Sequence, residues 1–206
     1  MKKTILLLGV LVLVGGGCVN SSSEDLVSAD EVNLPVEQTE TTMQTTPSSQ
    51  SWKFPGVLSD ETIQNKQVRI TTAKGDIVFE LFPDTAPMTV SNFVYLTNST
   101  YYNGLTFHRR EEGFVIQGGD PQGNGMGGPG YSFDDELNDN YSYDRGIVAM
   151  ANSGPNTNGS QFFIMLGDTA LPKAYSIFGQ VTEGMDVVDA IVVGDEMSSV
   201  VVEDKN

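Results

Sequence analysis

Two adjacent residues, His108 and Arg109, have side chains that could serve as catalytic groups. His108 is the chain's single histidine, and histidine can act as a general base near neutral pH. No nucleophile motif accompanies it, so a secreted hydrolase is the weaker interpretation and a hydrogen-bonded structural histidine is expected. Arg109 has two interpretations. It pairs with Glu111 and Glu112 as a surface residue, or its permanently charged guanidinium serves a reaction.

The composition excludes several kinds of site and partner. One cysteine and one histidine among 206 residues exclude an internal disulfide framework, a cysteine-based zinc cluster and a multi-histidine metal site. We therefore predict no metal and no cofactor. The 27 Asp and Glu against 11 Lys and Arg give a net charge of −16, and phosphate binding needs clustered basic residues. Nucleic acid is not a predicted partner.

Two further motifs resemble ligand-binding sites, but the residues around them do not fit those sites. Residues 123–128 match the G-x-G-x-x-G pattern of dinucleotide sites. That pattern needs a strand before it and a helix after it, whereas Pro129 and Gly130 follow here, so we predict a glycine loop beside a groove. Acidic residues cluster further on, at Asp134, Asp135, Glu136 and Asp139. They lack the spacing of a calcium-binding loop, which favours a solvated loop.

Two longer stretches carry a specific pattern. The first is Phe107–Arg109 followed by Gly113–Asp120, and the second is Met150–Ile164. Together they resemble the two signature blocks of the cyclophilin-type peptidyl-prolyl cis-trans isomerases, and the likeness extends from about Val68 to Val193. The resemblance implies a mainly β fold, a closed eight-stranded antiparallel β-barrel capped by two helices, with a proline groove on its outer wall.

The resemblance also implies roles for individual residues. The residues at catalytic positions are Arg109, Phe114 and Gln117. The residues at substrate-binding positions are Val115, Ala151, Asn152, Gln161, Phe163, Leu171 and Tyr175. Tyr175 stands where the family carries a histidine, and this difference affects the expected substrate preference more than the expected activity.

The chemistry of proline isomerisation suits these residue types. Rotation about an X-Pro bond is slow, with a barrier of ~20 kcal/mol, and no covalent bond has to break. In the twisted state the amide resonance is lost and the proline nitrogen regains a lone pair. A fixed guanidinium can donate a hydrogen bond to that nitrogen while an apolar pocket grips the ring. The reaction needs no nucleophile, metal or cofactor.

The elements that must position these residues are predicted from hydrophobic periodicity. Alternating apolar residues at 68–72 and 77–81, with turn residues between them, indicate a β-hairpin. Pro87 near a helix start and apolar residues at helical spacing predict a helix over 86–97, and a shorter helix is predicted over 184–191. Further short strands are predicted at 105–107, 114–117, 146–151, 162–166, 177–181 and 198–203.

The N-terminal part predicts export and attachment to a membrane. Residues 1–17 have the basic start, apolar run and small residues of a signal peptide, and the apolar run is too short to span a bilayer. Cys18 follows directly and resembles the lipidated cysteine of bacterial lipoproteins, although Gly15 stands where that motif usually has Leu. The alternative is an ordinary cleaved signal with an incidental cysteine.

Three segments follow from these patterns. They are a lipoprotein signal at 1–17, the lipidated Cys18 with a disordered acidic and Ser/Thr-rich tether at 18–51, and the isomerase domain at 52–206. A recognition tail is the alternative for the tether. We predict a monomeric, membrane-anchored, extracytoplasmic lipoprotein of the cell envelope that acts on proline-containing segments of exported proteins. The alternative function is a binding module, a holdase chaperone or adhesin, that keeps the groove but turns over weakly.

Overall fold

Eight strands and three helices lie in the described part of the protein. The computed structural model describes residues 51–138 and 140–205. The strands are β1 Lys66–Thr72, β2 Gly75–Leu81, β3 Arg109–Glu111, β4 Val115–Gly118, β5 Ile147–Met150, β6 Phe162–Met165, β7 Ile177–Glu183 and β8 Ser199–Asp204. The helices are α1 Asp60–Ile63, α2 Pro87–Asn98 and α3 Met185–Ala190.

The strands form one antiparallel sheet that is an open half-barrel. Their order is β3-β4-β6-β5-β7-β2-β1-β8, so β3 and β8 lie at the two ends of the sheet. The predicted closed barrel is therefore wrong, although the mainly β fold and the eight antiparallel strands are confirmed. The prediction of two helices is also incomplete, because α1, a single turn, precedes the sheet.

Irregular chain rather than a strand ladder connects the two ends of the sheet. Backbone N–H groups of Gly104 and Phe107 donate to the carbonyls of Met197 and Asp195, around one isolated bridge between Thr106 and Glu196. The strand predicted at 105–107 is thus reduced to this bridge. The ladder instead begins at β3, whose residues are all polar or charged and gave no hydrophobic signal.

The first hairpin and the main helix follow the predicted patterns. β1 pairs with β2 from Gln67 opposite Glu80 to Thr72 opposite Gly75, which confirms the hairpin. Gly75 has φ of +129°, and a side chain there would contact Val187, so the turn requires glycine. Helix α2 begins at Pro87, which confirms the helix predicted over 86–97.

A distant carboxylate caps helix α2. Its N-cap residue is Ala86, whose side chain cannot accept a hydrogen bond. Glu136 takes that role: its two carboxylate oxygens accept hydrogen bonds from the backbone N–H groups of Met88 and Thr89 at 2.9 and 2.8 Å, and one also accepts from the Thr89 hydroxyl. The helix start is therefore fixed to the loop after the glycine-rich segment.

The sheet separates two apolar clusters, one on each face. The inner cluster is the main core and includes Phe79, Phe93 and Phe162, which are fully buried. The outer cluster is smaller and contains Val115 and Phe163. Successive residues of a strand point to opposite faces, so Phe162 and Phe163 divide between the core and the outer face as predicted. The outer cluster forms the floor of the candidate site.

The membrane-related predictions concern mostly residues that the structure does not describe. The signal at 1–17, Cys18 and the tether up to residue 50 lie outside the described residues. Within residues 51–138 and 140–205, none of the helices has the length and apolar character needed to cross a membrane.

Candidate active site

A cavity of about 160 Å³ with an apolar floor and a polar rim opens on the outer face of the half-barrel, and we call it the apolar cavity. Its lining residues are Arg109, Phe114, Val115, Gln117, Ala151, Asn152, Phe163, Leu171 and Tyr175. The structure thus brings together every residue that the sequence placed at the site except Gln161, which lies next to Gln117 at the rim. The roles of these residues remain predictions, but their common location is a property of the fold.

Strand register places the key side chains in one row across the sheet. Arg109 of β3 lies opposite Gln117 of β4, Gln117 lies opposite Phe163 of β6, and Phe163 lies opposite Ala149 of β5. Residues opposite one another in an antiparallel ladder point to the same face. The guanidinium, the carboxamide and the aromatic ring therefore meet although they are up to 54 residues apart in sequence.

The far wall of the cavity is held by tyrosine contacts. The Tyr143 hydroxyl donates to the Tyr175 carbonyl at 3.0 Å and accepts from the Tyr175 backbone N–H at 3.1 Å. The Tyr175 ring packs edge-on against Phe163 at 5.5 Å between centroids. The Asn152 side chain donates to the Ala174 carbonyl at 2.8 Å, which ties the same segment to the second signature block. The cavity is thus preformed.

Arg109 is held in one orientation at the mouth of the cavity. Its Nη1 donates to Gln117 Oε1 at 2.9 Å, and its Nε donates to Glu111 Oε1 at 3.1 Å. Its Nη2 also pairs with Glu111, and its Cζ lies 5.9 Å from the centre of the Phe114 ring. These bonds use three of the five guanidinium N–H groups. The side chain is 41% exposed and lines the cavity, and two N–H donors remain outside these bonds.

A chain of carboxamides extends from Arg109 to the glycine loop. Gln117 Nε2 donates to Gln161 Oε1 at 2.9 Å, and Gln161 Nε2 donates to the carbonyls of Gly125 and Gly127 at 3.0 and 2.8 Å. The predicted glycine loop beside the groove is therefore in direct contact with the site. The dinucleotide motif is not formed: β4 ends at Gly118 before the loop, but no helix follows the loop within residues 119–138.

A second, polar pocket of about 370 Å³ continues the groove. It shares Gln117, Ala151 and Asn152 with the apolar cavity. Its other lining residues come from the glycine loop and the second signature block, including Met126, Tyr131, Ser153, Thr157, Gly159, Ser160 and Gln161. The sequence did not predict this pocket, since its walls are loops without periodicity.

Asp120 organises the glycine loop and was missed as a functional residue. It is 1% exposed, and its carboxylate accepts hydrogen bonds from the backbone N–H groups of Gln122 at 2.8 Å, Asn124 at 3.0 Å and Gly125. Burial raises the pKa of Asp120, but these N–H groups together lower the pKa more, so the net pKa is below its ordinary value. The carboxylate stays charged and fixes the loop that contacts Gln161.

His108 does not make the hydrogen bond that was expected. Neither ring nitrogen has a hydrogen-bond partner among the described residues, so the prediction of a hydrogen-bonded histidine is wrong. Burial lowers the pKa of His108; Asp120 opposes that shift and Arg109 adds to it. His108 therefore remains neutral near pH 7, and no hydroxyl among the described residues is hydrogen-bonded to its ring.

The acidic cluster serves as hydrogen-bond acceptors rather than as a cation site. Among the described residues, no group of acidic, histidine or cysteine side chains has the arrangement of a metal site. Asp135 accepts from Asn158 Nδ2 at 2.8 Å and from the Asn156 backbone at 2.9 Å, and Glu136 caps α2. These bonds correct the expectation of a merely solvated loop. Asp139 lies outside the described residues.

The geometry defines a class of site. An apolar cavity sized for a small ring, a fixed guanidinium at its mouth and carboxamides along an open groove can hold a peptide and act on one of its bonds without covalent attack. Comparison with known proteins identifies the family. The model of the "Cyclophilin type peptidyl-prolyl cis-trans isomerase/CLD" family matches residues 67–205.

Relatives and solved structures agree with this match. The chain is 44% identical over 153 residues to the "Probable peptidyl-prolyl cis-trans isomerase A" of Mycobacterium leprae, covering 65% of this chain and 84% of that one. It is 46% identical over 129 residues to "Peptidyl-prolyl cis-trans isomerase-like 3" of Gallus gallus, covering 60% and 80%. A crystal structure of a Cryptosporidium parvum cyclophilin-type isomerase aligns with TM-score 0.62 and 38% identity, covering 68% and 99%.

The chain belongs to the cyclophilin-type peptidyl-prolyl cis-trans isomerase family, and it is an isomerase of that type. The same Cryptosporidium parvum protein was also crystallised "in the presence of dipeptide ala-pro", with TM-score 0.60 and 39% identity to this chain over 66% of this chain and 98% of that one.

Proposed function

We propose that this isomerase acts on X-Pro bonds of exported proteins, with the proline ring in the 160 Å³ cavity and Arg109 as the catalytic residue. The observation that carries the proposal is the guanidinium itself, held by Gln117 and Glu111 directly beside a preformed apolar cavity. In that position it needs little reorganisation when the substrate amide twists.

Two kinds of residue have different roles: apolar residues bind the proline ring, and Arg109 stabilises the twisted amide. Phe114, Val115, Phe163 and Leu171 surround the ring of the proline and exclude water from it, so that the ring stays fixed while the preceding carbonyl swings. A free Arg109 N–H then donates to the proline nitrogen, which accepts a hydrogen bond only when amide resonance is broken. The bond is therefore stronger in the twisted state than in either planar state, and this difference lowers the barrier.

The carboxamides and the second pocket suit the rest of the peptide. Gln117, Gln161 and Asn152 line the groove where main-chain N–H and C=O groups of a bound segment need partners. A segment that leaves the apolar cavity across Ala151 and Asn152 reaches the polar pocket. We infer that this pocket receives residues that flank the X-Pro pair.

The cellular setting of the proposal comes from the N-terminal sequence. A signal-like segment, Cys18 and a long acidic, Ser/Thr-rich tether are the features expected of a chain anchored outside the cytoplasm. Proline isomerisation takes tens of seconds without catalysis, which is long enough to delay folding of a newly exported protein. Clients that emerge unfolded near the membrane are therefore the proposed substrates.

The decisive experiment compares Arg109→Ala with Arg110→Ala. Arg110 is the neighbouring residue on β3, but its guanidinium bonds the Ile191 carbonyl and Glu112 instead of the cavity residues. In a protease-coupled assay on X-Pro peptides, Arg109→Ala is expected to lower kcat/KM about 100-fold or more, the usual effect of removing one transition-state donor. Arg110→Ala is expected to keep kcat/KM within about threefold of wild type.

Three outcomes are informative. Equal catalysis by wild type and Arg109→Ala would show that the catalytic assignment is wrong. Binding of proline peptides by calorimetry, with no catalysis by either protein, would favour the binding-module alternative. Cleavage of a peptide bond that depends on His108 would instead indicate a hydrolase.

A further inference from the structure

A short aromatic segment lies on the fold just before the part matched by the family. Residues 52–58, which we call the strap, precede residue 67, where the family match begins. Trp52, Phe54 and Leu58 are half-buried and pack on the main core, whereas Lys53 and Val57 between them are exposed. The strap thus presents one side to the fold and the other to solvent.

The strap packs on residues that support the polar pocket. Trp52 makes edge-on ring contacts with Tyr95 at 6.2 Å and with Tyr101 at 5.1 Å. The Tyr101 hydroxyl is hydrogen-bonded to the Ser160 hydroxyl at 3.0 Å, and Ser160 lines the pocket. The first route from the strap to the pocket wall therefore has two steps, Trp52 to Tyr101 and Tyr101 to Ser160.

A second route runs through Phe54. Its ring stacks on Phe133 at 5.0 Å with an interplanar angle of 7°, and it contacts Tyr131 at 5.9 Å. Tyr131 lines the polar pocket itself. Its hydroxyl donates to Asn92 Oδ1 at 2.6 Å, and Asn92 Nδ2 donates at 2.8 Å to the carbonyl of Gly159, a further wall residue.

The strap is also fixed at its far end. The Leu58 backbone N–H donates to Ser91 Oγ at 2.9 Å, on the helix α2 that carries Asn92. The strap and α2 therefore hold the wall residues Tyr131, Gly159 and Ser160 from behind. The apolar cavity shares Gln117, Ala151 and Asn152 with that pocket, but its other walls come from strands β3, β4 and β6 and from the segment fixed by Tyr143, which the strap does not contact in these interactions.

We propose that the strap is a specificity-determining element: by fixing the wall of the polar pocket, it sets the affinity for substrate residues beyond the X-Pro pair. This inference rests on the proposed use of the polar pocket by flanking residues. The strap touches neither the apolar cavity nor Arg109 in any of these contacts, so its residues are positioning residues. Its expected signature is an effect on KM for long peptides only.

The experiment uses the complete folded protein and two peptide substrates. The short peptide contains the X-Pro pair with one residue on each side, and the long peptide extends it by four residues at both ends. The variant Trp52→Ala/Phe54→Ala is expected to raise KM about tenfold for the long peptide while kcat stays within twofold. For the short peptide, kcat/KM is expected to stay within twofold of wild type.

Two controls make the result decisive. Val57→Ala alters an exposed strap side chain and is expected to change neither peptide's kinetics. Trp52→Phe/Phe54→Tyr keeps an aromatic ring at both positions and is expected to return the long-peptide KM to within about twofold of wild type. Activity on the short peptide also measures how much of each variant is folded.

Each result supports or overturns the inference. A selective rise in long-peptide KM, rescued by the ring-preserving variant, supports it. An equal loss for both peptides shows that the strap only stabilises the fold, and unchanged kinetics for both shows that it does not act on the pocket; either outcome overturns the inference. A wild-type protein that catalyses neither peptide would instead refute the proposed function.

Discussion

Arg109 has two partners that contribute differently to its orientation. Glu111 is 52% exposed, and an ion pair so open to water contributes only about 0–1 kcal/mol. Gln117 is half-buried between Arg109 and Gln161, so its carboxamide has a fixed direction. At the residue scale, Gln117 is therefore expected to contribute more than Glu111 to the orientation of Arg109.

Glu111→Gln and Gln117→Ala test this order. Glu111→Gln is expected to lower kcat/KM by less than about fivefold, the equivalent of ~1 kcal/mol. Gln117→Ala removes a hydrogen bond to a charged group and is expected to cost more than tenfold, since such bonds contribute about 1.5–3 kcal/mol. Both values come from the X-Pro peptide assay. A larger loss for Glu111→Gln than for Gln117→Ala would contradict this assignment.

His108→Gln is expected to leave catalysis within about twofold of wild type. Bond rotation transfers no proton, and the lowered pKa of His108 keeps it neutral in the folded protein above its ordinary pKa of about 6.5. The activity of both proteins should therefore be flat between pH 6.5 and 8 in the same assay. A bell-shaped profile in wild type that the substitution abolishes would assign His108 a role in proton transfer.

Helix α2 shows how a cap can come from a distant part of the chain. Because Ala86 cannot cap the helix, the N–H groups of its first turn depend on Glu136, 47 or 48 residues away. The negative charge also lies favourably at the helix N-terminus. Since α2 carries Asn92, which holds Gly159 at the polar pocket, this cap fixes the position of part of the site.

Glu136→Gln is expected to destabilise the folded domain by about 1 kcal/mol. The amide keeps one acceptor oxygen where the carboxylate uses two, and it loses the charge. For a domain of this size the loss corresponds to a fall in Tm of about 2–4 °C, measured by calorimetry. Asp134→Asn, a change at an exposed neighbouring carboxylate, is the matched control. Equal Tm shifts for the two variants would show that the cap contributes nothing specific.

The glycine loop depends on the charge of Asp120. Because the pKa of Asp120 is lowered by folding, its stabilising effect is fully present above the unfolded pKa of about 3.9 and is lost as pH falls through the folded pKa. Urea unfolding of wild type and Asp120→Asn between pH 7 and pH 3 measures this. The variant is expected to be less stable at pH 7 and to lose less stability on acidification. Parallel curves would contradict the role of the carboxylate.

The sequence predicted the elements that have a regular apolar pattern and missed the features that have no such pattern. The β1–β2 hairpin and α2 have clear apolar patterns, and both are found where expected. Strand β3 is Arg-Arg-Glu and pairs because β4 lies beside it, which no local pattern reveals. The same holds for the cap from Glu136 and for the polar pocket. The cap and the pocket depend on contacts between residues far apart in the sequence, whereas β3 pairs with the nearby β4 but has no apolar residue to indicate a strand.

The candidate site was more predictable than the fold that holds it. The two signature blocks contain Arg109, Gln117, Gln161 and Phe163, and the structure places Arg109, Gln117 and Phe163 around one cavity with Gln161 bonded to Gln117 at its rim. It did not reveal that Asp120 fixes the loop under Gln161, or that the strap outside the family match supports the pocket. These support contacts connect side chains and backbone far apart in the sequence, and neither spacing nor composition encodes them.

At the scale of the whole molecule, the net charge limits how the protein can be attached to a membrane. The chain carries a net charge of −16, so an anionic membrane surface repels it and basic residues cannot anchor it. If the protein is held at a membrane, the attachment must be covalent and apolar. The lone cysteine at position 18 is the residue that chemistry allows for this purpose, because acyl chains contribute about 0.8 kcal/mol for each buried CH₂ group.

Cys18→Ser is therefore expected to move the protein from the membrane fraction to the soluble extracytoplasmic fraction without changing kcat/KM on X-Pro peptides. The candidate site lies wholly within the described residues 51–138 and 140–205, so loss of the lipid at Cys18 is expected to leave it intact, and Ser21→Ala in the predicted tether is the matched control. Mass spectrometry of the mature wild-type N-terminus should show a lipid-modified Cys18 as the first residue. An unmodified chain starting elsewhere, or a Cys18→Ser protein that stays in the membrane fraction, would show that Cys18 is incidental and that an ordinary signal precedes the tether.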